Sequence, residues 1–158
     1  MQATADICDL DLDSVQVVTT PLTQYGGRAH CSGPVATFLL EEDNRVLKEA
    51  LQTPGEGRVA VVQVSGGMCA VVGDKLAGFA LENGWAGIVL HGYLRDTRVL
   101  KTMPIAVWAL GTFPRRSTKR CEGKADIPLH FGDVSFEPGA FLYGDDDGIV
   151  LSKTPLDV

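Results

Sequence analysis

Three residues of this chain could do chemistry together: Asp74 and the adjacent pair Arg95-Asp96. An aspartate at the end of a buried strand can hold Mg²⁺ or Mn²⁺, because magnesium often takes only one or two protein carboxylates and completes its octahedron with waters and substrate oxygens. Asp96 suits that role. Arg95 offers a planar, permanently charged fork that can bind a carboxylate or keto oxygen and stabilise negative charge developing there. Gly73-Asp74-Lys75-Leu76 opens a stretch of helical pattern, so its free backbone N–H groups make a site for a substrate carboxylate. A 2-oxo acid meets all three features. An Arg-Asp pair after a strand also serves as a structural ion pair or a turn, and residue types alone leave both readings open.

Twenty residues separate the pair from Asp74, so the elements between them must bring both to one place. Residues 59–64 form a continuous apolar run of strand length, as in a strand covered on both faces, and Ser65-Gly66-Gly67 closes it. Residues 75–83 place Leu76, Ala77, Phe79, Ala80 and Leu81 at helical spacing, with Gly84 in the position that favours a left-handed residue past a helix end. Residues 85–91 read as a second strand. The whole of 59–91 is then a βαβ crossover, whose first loop and the residues 92–96 emerge at the same carboxyl edge of the sheet. That edge is the expected site.

Around this unit the pattern predicts a strand at 15–18, a turn at 24–28, a strand over 34–40 and a helix over 41–51 stopped by Thr53-Pro54-Gly55-Glu56-Gly57. A strand at 105–110 follows. The last third alternates short apolar runs at 127–131, 134–136, 141–143 and 149–151 with Gly132-Asp133, Pro138-Gly139 and Asp145–Gly148, which suggests antiparallel hairpins. The expected fold is α/β, one domain over 1–158, with C-terminal β-hairpins.

The 158 residues carry a net charge of −6 and are 45% hydrophobic. That balance suits a folded globular protein and disfavours non-specific attraction to nucleic acid or anionic membranes. No run approaches a membrane span, and the acidic start has neither the basic nor the apolar region of a targeting peptide, so cytoplasm is expected. Cys8, Cys31, Cys69 and Cys121 are too dispersed for a zinc or CxxC redox site and read as free thiols.

The pattern Gly73-Asp74, twenty residues, Arg95-Asp96, with Asn83-Gly84-Trp85-Ala86-Gly87 between, resembles the RraA-like family, which unites the 4-hydroxy-4-methyl-2-oxoglutarate aldolases with the regulator of ribonuclease activity A. Further landmarks are Tyr25–Arg28, Glu42–Asn44, Pro54–Gly57, Ala109–Pro114, Lys119–Gly123, Phe131–Asp133 and Pro138–Gly148, so the likeness covers about 15–152. The resemblance implies a three-layer β/β/α domain of the swivelling type, assembled as a homotrimer. It implies that Asp96 ligates a divalent cation, Mg²⁺ or Mn²⁺. Arg95 would contact the substrate and its enolate, Gly73, Asp74, Lys75 and Leu76 would bind the substrate, and Asp74 would hold a water on the metal.

The implied chemistry is class II aldol cleavage, or decarboxylation of oxaloacetate, through a pyruvate enolate. The alternative is a non-catalytic regulator that binds ribonuclease E or a degradosome helicase without touching RNA. Aldolase members carry a longer C-terminal part, which favours decarboxylation here, and the apolar 65–73 loop departs from the more polar version of many relatives. His30, His91 and His130 occur singly and read as structural. The basic cluster Arg115, Arg116, Lys119 and Arg120 reads as a solvated loop or subunit contact, although it could hold phosphate or a partner. Asp145–Asp147 reads as a turn, and Trp85 and Trp108 as core or interface.

Overall fold

The computed structural model describes residues 1–10, 12–118 and 123–157. In chain order the elements are α1 (Thr4–Leu10), β1 (Val15–Val17), β2 (Thr23–Gln24), β3 (Cys31–Glu41), α2 (Arg45–Leu51), β4 (Val59–Ser65), β5 (Ala70–Val72), α3 (Asp74–Glu82), β6 (Gly87–Leu94), α4 (Thr97–Leu100), β7 (Ala106–Thr112), β8 (Lys124–Ala125), β9 (Leu129–Phe131), β10 (Val134–Phe136), β11 (Phe141–Gly144) and β12 (Ile149–Ser152). This is a mixed α/β fold with one large mixed sheet and few helices. The sheet runs β1-β12-β11-β3-β4-β6-β7-β2, with β5 on β6 and β8 on β3; β9 and β10 pair separately.

The parallel centre is β3, β4, β6 and β7. Its strands are apolar on both faces, as parallel strands covered on both sides must be, and alternation along them separates two cores. Phe38, Leu40, Val62, Ile88, Leu90 and Val107 pack against Leu47 and Leu51 of α2 and Leu76, Ala77 and Ala80 of α3. Val35, Val61, Val89 and Trp108 face the other way, against Leu129, Phe131 and Phe136 of the β9-β10 hairpin and Leu142, Ile149 and Leu151 of β11 and β12. A third, smaller cluster sets Ile7 of α1 against Tyr143 and Val150. Among the described residues no helix is long and apolar enough to cross a membrane.

Several expected boundaries move, each for a local reason. The helix expected over 41–51 starts at Arg45, because Glu42 takes a left-handed φ of 52° and the buried Asp43 carboxylate accepts a bond from the Arg45 amide at 2.9 Å. The 65–73 loop contains a strand, β5, which takes over from β4 as the neighbour of β6: Gln63 is opposite His91, and Ala70 is opposite Tyr93. With that partner the second strand of the crossover begins at Gly87 rather than 85 and runs to Leu94 rather than 91. The unit is therefore 59–94, and Arg95 and Asp96 leave the strand directly. Helices α1 and α4 and strand β8 were not expected.

The two expected helix stops are one structure. Gly84 is left-handed at φ 75°, the Asn83 side-chain amide donates to the carbonyls of Leu51 and Phe79 at 3.1 and 2.9 Å, and Trp85 Nε1 donates to the Thr53 carbonyl at 3.1 Å. A Cβ on Gly55 would lie 2.5 Å from Trp85 Cγ, so that glycine is needed for close approach of chain to ring. These contacts pin the C-terminal ends of α2 and α3 together.

Candidate functional site

Asp96 has a conformation that few side chains accept. It lies two residues past the end of β6, capping α4 at φ 63° and ψ 35°, in the left-handed region, where an L-residue costs about 1–2 kcal/mol and aspartate is among the better tolerated types. Its carbonyl accepts from the amides of Val99 and Leu100 at 3.0 and 2.9 Å, which starts α4. Its carboxylate turns back to the start of α3, where Oδ2 accepts from the Asp74 amide at 3.2 Å.

Gly73 makes that approach possible. Its backbone is extended (φ −143°, ψ −162°), which any residue adopts, but a Cβ there would sit 2.5 Å from Asp96 Oδ2 and 3.6 Å from Arg95 Cγ. Of the N–H groups at the start of α3, the Ala77 amide is the first to bond within the helix, to the Gly73 carbonyl at 3.1 Å, and the Asp74 amide is taken by Asp96. Lys75 and Leu76 amides remain for a ligand. Arg95 is anchored at both ends: its amide donates to the Val72 carbonyl at 3.0 Å and Nη1 to the Pro114 carbonyl at 3.3 Å. The remaining guanidinium donors stay available.

All six expected residues, Gly73, Asp74, Lys75, Leu76, Arg95 and Asp96, line one cleft of about 630 Å³. The cleft has walls that were not anticipated. Asn44, whose Nδ2 donates to the Val71 carbonyl at 2.8 Å, precedes α2, and Lys48 comes from the last turn of that helix. Arg115 and Arg116, read from sequence as a solvated loop or subunit contact that could also hold phosphate or a partner, are exposed and line it too; Lys119 and Arg120 lie outside the described residues. The cleft thus carries Lys48, Lys75, Arg95, Arg115 and Arg116 against Asp74 and Asp96, a net positive surface on a chain of charge −6. Such a concentration of positive charge attracts small anions. The signal was present in Pro114-Arg115-Arg116, but only the docking of that segment beside β5 places it.

Other candidates fall elsewhere. His91 is on the opposite face of the sheet, its ring 4.6 Å from that of Phe131, and burial holds its imidazole below the ordinary histidine range against a smaller upward pull from a backbone hydrogen bond. His130 Nδ1 pairs with Ser135 Oγ across its hairpin at 3.0 Å. Asp145–Asp147 is a turn, and Asp145 binds the start of α1 through the Thr4 amide at 2.7 Å and hydroxyl at 2.6 Å. Trp85 and Trp108 are core residues. Cys8, Cys31 and Cys69 are free thiols, and Cys121 lies outside the described residues.

Among the described residues no group of three or more His, Cys, Asp and Glu side chains could enclose a metal. A single carboxylate fits a hard, octahedral cation that keeps waters and substrate oxygens in its shell: Asp96 has Oδ2 oriented by the Asp74 amide and Oδ1 without a hydrogen bond among the described residues.

A family model described as RraA-like, Aldolase/RraA, matches residues 4–151. A protein of Aromatoleum aromaticum provisionally named 4-hydroxy-4-methyl-2-oxoglutarate aldolase is 43% identical over 154 residues, 97% of each chain. A solved structure from Geobacillus kaustophilus, described as an S-adenosylmethionine: 2-dimethylmenaquinone methyltransferase, is 45% identical with a TM-score of 0.94, covering 98% of this chain and 97% of that one. Another, described as the RNA-processing inhibitor RraA from Thermus thermophilis, is 38% identical with a TM-score of 0.93 over 99% and 96%. Relatives bearing the provisional aldolase name thus match this chain in length. Three different activities attached to one fold mean that function must be argued from the site.

Proposed function

The chain belongs to the RraA-like, Aldolase/RraA family, and from that premise we propose that it is a divalent-metal-dependent lyase of small 2-oxo dicarboxylic acids. It would act on oxaloacetate, 4-hydroxy-4-methyl-2-oxoglutarate, or both, through a pyruvate enolate, in the cytoplasm and as a homotrimer of swivelling-type β/β/α domains. The observation that carries the reading is the Asp96 carboxylate, held against Gly73 beside Arg95 in a cationic cleft.

Asp96 would hold Mg²⁺ or Mn²⁺, which when bound supplies Lewis acidity to the 2-oxo acid oxygens. The chain's own groups do the rest. Amides of Lys75 and Leu76 receive the C1 carboxylate. Arg95, fixed by its bond to the Pro114 carbonyl, faces the C2 oxygen and stabilises the charge that gathers there as the C3–C4 bond breaks. In oxaloacetate the C4 carboxylate leaves as CO₂, the bonding pair becomes the enolate, and C3 takes a proton. In the aldol substrate the C4 hydroxyl proton is removed, C4 becomes a carbonyl carbon, and the same enolate is left. Asp74 is assigned to hold water in the cleft for these proton movements.

The test is oxaloacetate decarboxylation with Mg²⁺ or Mn²⁺, an EDTA control, and Asp96→Asn beside the wild type. Asparagine tolerates the left-handed backbone that alanine would strain, so loss of activity would not reflect loss of fold. The expected result is metal-dependent turnover that the variant lacks. No turnover above the metal's own background rate would overturn the reading.

The likeness to the RNA-processing inhibitor favours a second reading, a protein-binding regulator of ribonuclease E or a degradosome helicase. Pull-down of purified partners by the wild type and by Asp96→Asn alike would support it.

A further inference from the structure

The reacting end of a 2-oxo acid uses Arg95, Asp96 and the amides of Lys75 and Leu76, which leaves three cations in the cleft with no assigned work: Lys48, Arg115 and Arg116. None forms an ion pair among the described residues, where the ion pair found is Arg45–Asp43. Their segment is not a loose loop. The Ala70 amide donates to the Arg115 carbonyl at 2.7 Å, the Ser117 amide returns a bond to the Ala70 carbonyl at 3.0 Å, and Ala70 and Arg116 form a parallel bridge. Upstream, the Phe113 amide donates to the Leu94 carbonyl at 3.0 Å and Arg95 Nη1 to the Pro114 carbonyl. Backbone bonds therefore fix the main chain that carries two exposed arginines, neither in an ion pair among the described residues, beside the segment that anchors Arg95.

We propose that Arg115 and Arg116, with Lys48, form a second carboxylate subsite that selects substrates carrying a carboxylate remote from the 2-oxo acid end. The identity of the reacting end rests on the lyase reading above. The subsite has a consequence for which reaction it serves. In decarboxylation the remote carboxylate loses its charge as CO₂ departs, so a guanidinium on it stabilises the ground state more than the transition state and slows the step. In aldol cleavage of 4-hydroxy-4-methyl-2-oxoglutarate the remote carboxylate stays charged on the departing 2-oxo acid fragment, so the same contact persists through the transition state. The arginine pair thus suits retro-aldol cleavage and taxes oxaloacetate turnover.

The experiment compares the wild type with Arg115→Gln/Arg116→Gln, with Lys48→Gln as a separate variant and thermal unfolding as a check on fold. Titration calorimetry with Mg²⁺ measures pyruvate, which is the reacting end alone, and 2-oxoglutarate, which adds a remote carboxylate and has no C4 hydroxyl to cleave. The wild type is expected to favour 2-oxoglutarate by about tenfold, as for a charge-assisted bond at a partly solvated site, and the double variant to lose that preference. In turnover, kcat/KM for aldol cleavage falls about tenfold in the double variant while kcat for oxaloacetate rises. An unaltered preference for 2-oxoglutarate in the double variant, no preference in the wild type, or a parallel fall in pyruvate affinity would each overturn the subsite. Preference lost on substitution in a protein with no turnover would sustain the subsite and overturn only the lyase reading.

Discussion

Replacing Gly73 with alanine separates the site from the fold. The backbone there is extended and accepts alanine, and losing a glycine's freedom in the unfolded chain stabilises by about 0.4–1 kcal/mol where the native conformation is compatible. The new Cβ, however, falls 2.5 Å from Asp96 Oδ2. A carbon–oxygen contact relaxes to roughly 3.4 Å, so the carboxylate must retreat by about 1 Å. It gives way cheaply, being the end of a side chain, but it abandons its bond to the Asp74 amide and the place where a cation would be held. Misplacing a reacting group by about 1 Å costs roughly 100-fold in rate, or about 2.7 kcal/mol of transition-state stabilisation. The expected result is a melting temperature equal to or above wild type and a kcat/KM for metal-dependent oxaloacetate decarboxylation lower by about two orders of magnitude. Activity within about threefold of wild type would show that the close approach of Gly73 to Asp96 has no part in the chemistry, and the reasoning would fail.

Other perturbations test the frame around the site. Leu90→Ala, at a fully buried position between the parallel sheet and the helices, should destabilise by about 2–5 kcal/mol in urea denaturation. His91→Gln should leave the pH profile of turnover unchanged, since that ring packs at a tilt against Phe131 on the far face of the sheet; a lost ionisation in the profile would place it in the mechanism. Thr4→Ala removes a hydroxyl bond to Asp145 and should cost about 1–2 kcal/mol near neutral pH. Burial alone would raise the Asp145 carboxyl, but bonds from Thr4 and from the Asp147 and Gly148 amides outweigh it and hold the group below its ordinary 3.8. A carboxylate depressed in the folded state contributes stability above its unfolded pKa and loses it as pH falls through the folded one. The Thr4→Ala deficit should therefore shrink in acid below that range, and urea midpoints measured across it would detect a deficit that does not.

What could be read from the residues was what depends on neighbours in the chain. The apolar run beginning at Val59, the helix from Asp74 and its glycine stop at Gly84 obey local periodicity and capping, and they suffice to bring Asp74 and Asp96 to one edge. The left-handed conformation of Asp96 has no local signal of that kind. It follows from β6 continuing to Leu94, which in turn requires β5 as a partner. Ala70-Val71-Val72 is too short to announce itself as a strand, being stabilised by β6 rather than by its own propensity.

The basic wall illustrates the same limit and gives it a functional meaning. Arg115 and Arg116 follow the last strand of the parallel centre and, by type alone, resemble any solvated pair of cations. They enter the cleft because Ala70 spends both its backbone groups on their segment. Ala70 of β5, inside the 65–73 loop, is thus the docking edge for the arginine segment. A substitution that unpairs β5, such as Val71→Pro, would then move substrate preference without touching any charged residue. Its expected signature is a loss of the 2-oxoglutarate over pyruvate preference that matches Arg115→Gln/Arg116→Gln. A variant that still folds and keeps that preference would show the arginines to be held by something other than β5.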